Sequence, residues 1–245
     1  MLPLILIPGL LSTATLWDRV REYLPPSWPS QARGPLDQPA IGDVAQAVLA
    51  DAPPAFAVCG HSMGGYVCFE LIRRAPERVR ALALVNSSAR PDTPEQRQAR
   101  LDATYLAQRG RFVGVSRRFF PRLVAERARD DAGLLATVQA MAAEVGGKGF
   151  ATQQHLIMSR PDSRPDLAQI ACPTLVVGGR EDQVTSRALS VEIYEQIPYS
   201  DLHLLSDCGH LAPLERPRRL TRLLVSLLED ATGGASALAG AFHEP

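Results

Sequence analysis

Two hydrophobic rhythms alternate along the chain. Short unbroken apolar runs occur at 2–7, 55–59, 81–86, 174–177 and 202–205, with a weaker candidate at 29–33. Runs of this length without internal polar alternation suit strands buried on both faces. Between them, at 15–23, 41–50, 63–74, 186–196 and 218–228, apolar residues recur at the three- and four-residue spacings of a helix with one buried side. Thr185 is the expected N-cap of the fourth helix. Pro217 stands at the start of the fifth, where a missing N–H has no helical partner to lose. Strand followed by helix, repeated, predicts an α/β fold: a mostly parallel sheet of about six strands with helices on both faces.

The rhythm breaks between residues 89 and 166. This stretch is rich in Arg, Ala, Gln and Glu, contains no convincing strand, and is bracketed by Pro91 and Pro94 at one end and Pro161 and Pro165 at the other. It reads as a helical insertion, a cap, in a core formed by 1–88 and 167–230. Its larger apolar residues, Tyr105, Phe112, Phe119, Phe120, Met141, Phe150 and Met158, suit either a small core of the insertion itself or the wall of a cavity. Residues 231–245, rich in Gly, Ala and Ser and without periodicity, read as a flexible tail.

Composition narrows the classes. Acidic and basic residues balance at 26 each. That balance argues against nucleic acid or a membrane surface as partner, since both favour a basic excess. The apolar start of the chain lacks a basic leader region and is too short to span a bilayer, so a cytoplasmic location is expected. Cys59, Cys68, Cys172 and Cys208 form no paired motif and no metal-binding spacing, which suits buried thiols in a reducing compartment. No metal is expected. Lys148 is the single lysine, so lysine-based chemistry has one candidate.

The chemistry concentrates at Gly60-His61-Ser62-Met63-Gly64, which joins an apolar run directly to a helical pattern. A sharp strand-to-helix turn lifts the central serine above the sheet, and glycine two residues to either side avoids a collision. A serine hydroxyl is a weak nucleophile until a base near neutral pKa takes its proton, so a histidine is required. His61 is adjacent and is expected to point elsewhere on the turn, His155 lies in the insertion, His203 in a strand, and His243 in the tail. His210 follows the last strand, in Asp207-Cys208-Gly209-His210-Leu211, at the end of the sheet where parallel strands place active groups. A carboxylate must then orient the imidazole. Asp182 lies at the tip of the loop after 174–177, with Glu181 as the alternative and Asp92 as a more remote one.

The order Ser62, Asp182, His210, carried by Gly60–Gly65, Gly179-Arg180-Glu181-Asp182 and the stretch from Gly209-His210 to Glu215-Arg216-Pro217, resembles the α/β-hydrolase superfamily over roughly residues 2–228. It is similar to small cofactor-free esterases, enol-lactonases and C–C hydrolases. The resemblance implies an oxyanion hole from the backbone N–H groups of Met63 and Leu10. The family's usual histidine before the glycine of that loop is replaced by Pro8, which puts the loop geometry in question. Ser12, close by, suits a turn or helix cap. The resemblance also implies an N-terminal antiparallel hairpin that does not precede 2–7 here. The sheet is therefore expected to be shortened at one edge, which the tail or another subunit would cover.

A serine hydrolase acting on a small ester through an acyl-enzyme, without cofactor, is the expected function. Lactone, thioester or C–C bond cleavage on the same residues is the alternative within the enzyme class. A haloalkane dehalogenase or epoxide hydrolase would resemble forms with aspartate at the Ser62 position, and a hydroxynitrile lyase would want Lys148 near the site. A non-catalytic small-ligand receptor on the same fold is the alternative of another class.

Overall fold

The computed structural model describes residues 1–233. Strands β1 (Leu4–Ile7), β2 (Ser30–Ala32), β3 (Phe56–His61), β4 (Val79–Val85), β5 (Thr174–Gly179) and β6 (Ser200–Leu205) form one sheet in the order β2-β1-β3-β4-β5-β6. Every neighbouring pair is parallel. Both the strand count and the weak candidate at 29–33, which became β2, agree with the apolar runs. The three-residue β2 is one edge. Residues 234–245, most of the expected tail, lie outside the described residues.

Alternation within the central strands feeds two cores. Leu4, Leu6, Ala57, Cys59, Ala83 and Val177 face one side, packed with Val20 of helix α1 (Asp18–Tyr23) and Leu220 and Leu224 of α8 (Pro217–Ala231). Ile5, Ile7, Val58, Leu82, Leu84 and Val176 face the other, against α2 (Ile41–Asp51), α3 (Met63–Arg74) and α6 (Arg187–Gln196). A strand wet on one face would have kept exposed polar residues at alternate positions; here Arg80 alone is exposed within β3, β4 and β5. The strand β1 runs to β2 on one side and the chain then returns to β3 on its other side. That reversal opens a crevice at the carboxyl ends of β1 and β3, where ligands of open parallel sheets collect.

The stretch 89–166 contains α4 (Pro94–Gln108), α5 (Ala132–Met158) and single 3-10 turns at Phe120–Arg122 and Glu126–Ala128, and no strand. Thr93 caps α4 reciprocally with Gln96, and Asp131 caps α5 through the Leu134 amide. Gly146 breaks α5 with φ 66°, a left-handed conformation that glycine adopts without steric cost. The insertion has no core of its own: Phe120, Val138 and Met141 continue the first core and Leu156 and Ile157 the second. The short α7 (Ala212–Glu215) leads into α8, where Pro217 occupies the first turn. No helix among the described residues is long and apolar enough to cross a membrane.

Candidate active site

The turn between β3 and α3 holds Ser62 at φ 52°, ψ −115°, a strained conformation for a non-glycine residue. It is tolerated because the turn is locked on all sides. The Ser62 amide donates to Val85 at the end of β4, and the Ser87 hydroxyl donates to the Ser62 carbonyl at 2.9 Å. Gly64 lets the first turn of α3 lie directly on the Ile7 carbonyl, a place any Cβ would fill. Close packing at glycine therefore brings the serine turn against the end of β1.

His210 stands on the loop after β6. Its Nε2 lies 3.0 Å from Ser62 Oγ and its Nδ1 2.9 Å from Asp182 Oδ2. Asp182, after β5, is almost fully buried and satisfied. Its Oδ1 accepts from the Val184 and Thr185 amides at 2.7 and 2.9 Å. Its Oδ2 accepts from the Thr185 hydroxyl and from Asn86 Nδ2, each at 2.7 Å. Burial alone would raise the carboxyl pKa, but the His210 charge and these hydrogen bonds bring it down to about 2. The side chain is thus an anion over the whole working range and holds the His210 Nδ1 proton in place.

The alternatives for each role separate clearly. Glu181 accepts from the Glu126 amide at 2.8 Å. Asp92 is bridged by Arg100 and Arg160. His155 and Lys148 are exposed on α5 and His203 sits within β6, while His243 lies outside the described residues. His61 differs from expectation. Instead of pointing away, it packs on His210 with ring centroids 5.0 Å apart, and its Nε2–H donates to the His210 carbonyl at 2.8 Å. Its buried Nδ1 is left without a partner. Burial, then the charge on His210, pushes the His61 pKa down to about 3, so it stays neutral beside the His210 ring.

Thr185 also departs from expectation. Ser186 occupies the N-cap position of α6, and the Thr185 hydroxyl turns instead to Asp182. The carboxylate attracts both the amide and the hydroxyl of Thr185, and a charged acceptor outbids a helix end. The motifs of the sequence do not single out Asn86. It follows β4 at φ 48° and donates to both Asp182 and the Gly209 carbonyl. An asparagine just past an apolar run is the signal that could have found it, since asparagine tolerates the left-handed region. In the sequence, Glu215 stands out only as part of the stretch Gly209 to Pro217. Its buried carboxylate accepts from the amides of Ala125, Gly209 and Leu211 at 2.7, 3.0 and 3.2 Å. It therefore ties the His210 loop to the insertion.

Leu10 and Met63 both border the cavity above Ser62. Neither backbone N–H has a hydrogen-bond partner among the described residues. The Pro8 substitution leaves a loop of defined shape. Gly9 lies against His61 and Ser62. Leu11 takes φ 56° with its amide held by buried Gln153 of α5 at 2.9 Å, and Gln153 also donates to the Leu36 carbonyl. The cavity measures about 310 Å³. The insertion supplies Phe119 and Met141 to its wall, whereas Phe120 is core, Tyr105 is exposed, and Phe112 and Phe150 pack on each other.

A model of the alpha/beta hydrolase family matches residues 4–223, and the chain belongs to that family. It is a hydrolase. Among curated relatives, it is 30% identical over 179 residues to a pimeloyl-[acyl-carrier protein] methyl ester esterase of Nitrosomonas europaea, covering 70% of this chain and 71% of that one. It is 26% identical to 3-oxoadipate enol-lactonase 2 of Acinetobacter baylyi, covering 72% and 64%. Among solved structures, a thermophilic esterase from Thermogutta terrifontis with malate bound superposes with a TM-score of 0.85 at 26% identity, covering 94% of this chain and 90% of that one.

Proposed function

We propose that the protein hydrolyses small carboxylic esters through an acyl-enzyme, with Ser62 as nucleophile, His210 as general base and acid, and Asp182 as the group that orients His210. The observation that carries this reading is the unbroken line of contacts from Ser62 Oγ through His210 to Asp182, at 3.0 and 2.9 Å. Ser62 Oγ attacks the carbonyl carbon as His210 Nε2 takes its proton, and the carbonyl π pair moves onto oxygen. The amides of Leu10 and Met63 hold that oxyanion, each worth about 3 kcal/mol. As the tetrahedral species collapses, the bond to the alkoxide breaks and the leaving oxygen takes the proton from His210. Water repeats the sequence on the acyl-enzyme and restores Ser62.

An enol-lactone is an internal ester and is cleaved by the same steps, with the leaving oxygen retained in the product; the named lactonase relative supports this second reading. Residues 89–166 serve as a cap that shapes the substrate pocket, supported by Val115, Phe119, Leu123, Val138 and Met141 in the cavity wall. Four free cysteines, three of them buried, suit a reducing cytoplasm. An active-site fluorophosphonate, with a panel of 4-nitrophenyl esters, lactones and acyl thioesters, tests the assignment. Wild type is expected to label and turn over esters, and Ser62→Ala to do neither. Equal, absent labelling of both proteins would return the fold to the receptor class.

A further inference from the structure

The cavity above Ser62 carries a charge that the hydrolytic steps do not use. Three arginines, Arg90, Arg100 and Arg160, border it, and among the described residues no carboxylate does. Glu192 neutralises Arg90 through a two-pronged contact. Asp92, its side chain 4% exposed, bridges the other two, taking Arg100 Nε on one oxygen and Arg160 Nη2 on the other, both at 2.8 Å. Two guanidinium groups thus share one carboxylate, and among the described residues one positive charge remains unmatched at the cavity wall.

The two arginines are not equivalent. Arg160 is 7% exposed and commits its Nε and Nη1 to the carbonyls of Arg90 and Ile157, with its plane over the Tyr66 ring at 4.3 Å. It is fixed in the framework. Arg100 is 22% exposed and, among the described residues, donates only to Asp92 and to Gln154 Oε1. A guanidinium has five N–H donors, so three of its five remain unused. If the cluster only joined α4 to the end of α5, Arg160 with Asp92 would suffice. Arg100 adds an unneutralised cation with free donors, held still by its own contacts.

We infer that this site selects esters carrying a carboxylate distal to the scissile bond, with Arg100 as the residue that binds that carboxylate and Asp92 and Arg160 holding Arg100 in place. A single unmatched positive charge suits a monoanion better than a dianionic phosphate. The planar fork of a guanidinium matches the two oxygens of a carboxylate. The largely apolar remainder of the cavity suits the carbon chain between carboxylate and ester. This inference rests on the hydrolase reading above and specifies its substrate class.

Isosteric substrate pairs test it. One series carries the charge on the acyl side: the 4-nitrophenyl half-ester of a dicarboxylic acid against its primary amide. The other carries it on the leaving group: a 4-acyloxybenzoate against the 4-acyloxybenzamide. Wild type is expected to favour the carboxylate member in at least one series by roughly tenfold to hundredfold in kcat/KM, the worth of a charge-assisted hydrogen bond. Arg100→Gln is expected to bring that ratio close to one, and Arg100→Lys to retain part of it. Because each ratio is taken within one protein, partial loss of folded enzyme does not imitate the effect. A ratio near one in both series, or a ratio unchanged by Arg100→Gln, overturns the inference while ester turnover leaves the hydrolase reading intact. In Ser62→Ala, calorimetry is expected to find tighter binding of the same carboxylate esters. Tighter binding there with no turnover by wild type would reject the hydrolase reading and keep the charge site.

Discussion

The ends of the strands and the insertion build one cavity by opposite means. At the strand ends, each candidate group lies in the turn or loop that follows a strand: Leu10 after β1, Ser62 after β3, Asn86 after β4, Asp182 after β5 and His210 after β6. Register fixes their positions before any long-range contact is considered. The insertion places nothing by register. Its segment around Leu123–Arg127 is held by the functional loops themselves: Leu123 receives the His210 amide at 2.8 Å, Ala125 donates to Glu215 and Glu126 to Glu181. The strand ends bring Ser62, Asp182 and His210 together, and the insertion meets their loops through these contacts.

If chemistry belongs to the strand ends, the largest effect is at Ser62. Ser62→Ala is expected to lower kcat on a 4-nitrophenyl ester by about 10⁴-fold or more, with the thermal midpoint little changed. Residual turnover within tenfold of wild type would move the chemistry off the strand ends.

The two buried carboxylates beside His210 sharpen the comparison through pH. Asp182 belongs to a strand end and its pKa is depressed to about 2 from an ordinary 3.8. The folded state binds this proton less readily than the unfolded chain. Its stabilisation is present above about pH 4 and lost as pH falls through about 2, an effect on the order of 2 kcal/mol. Glu215 joins the His210 loop to the insertion, and burial raises its pKa despite three amides and Arg127. The folded state binds that proton more readily, so its contribution weakens as pH rises above the ordinary glutamate range. Urea unfolding across pH for wild type, Asp182→Asn and Glu215→Gln is expected to give difference curves of opposite slope. Glu215→Gln should also cost about 2 kcal/mol at neutral pH, because an amide NH₂ replaces an oxygen that accepts a backbone N–H. Curves of the same slope would mean that the joint between the regions is not electrostatically distinct from the site.

A smaller effect is expected where a single hydroxyl supports Asp182. Thr185→Val removes one donor at 2.7 Å and should lower kcat about fivefold to tenfold, consistent with about 1 kcal/mol for one hydrogen bond. A loss as large as that of Ser62→Ala would make Thr185 part of the reacting group. The smallest effect belongs to the insertion. Phe119→Ala, at a ring that borders the cavity and is partly exposed, should shift the preferred acyl chain length with changes in kcat/KM of about threefold to tenfold. An unchanged chain-length profile in the folded variant would remove Phe119 from the selectivity filter.

The sequence alone determined the sheet, its parallel sense, and the candidates Ser62, Asp182 and His210. These follow from local rules: unbroken apolar runs, helical spacing, and loops that begin where strands end. Even the weak run at 29–33 was legible as β2. Tertiary structure decided what depends on partners distant in sequence. Asn86 reaches Asp182 and Gly209 across the sheet, His61 turns onto His210, and Thr185 leaves a helix cap for a buried carboxylate. The insertion shares the main cores instead of owning one, and Arg100 and Arg160 converge on Asp92 at the cavity wall. Hydrophobic periodicity reports which side of an element is buried, a property of a few neighbouring residues. Which charged and polar groups meet across that buried surface is set by the packing of whole elements, and only the folded chain carries that information.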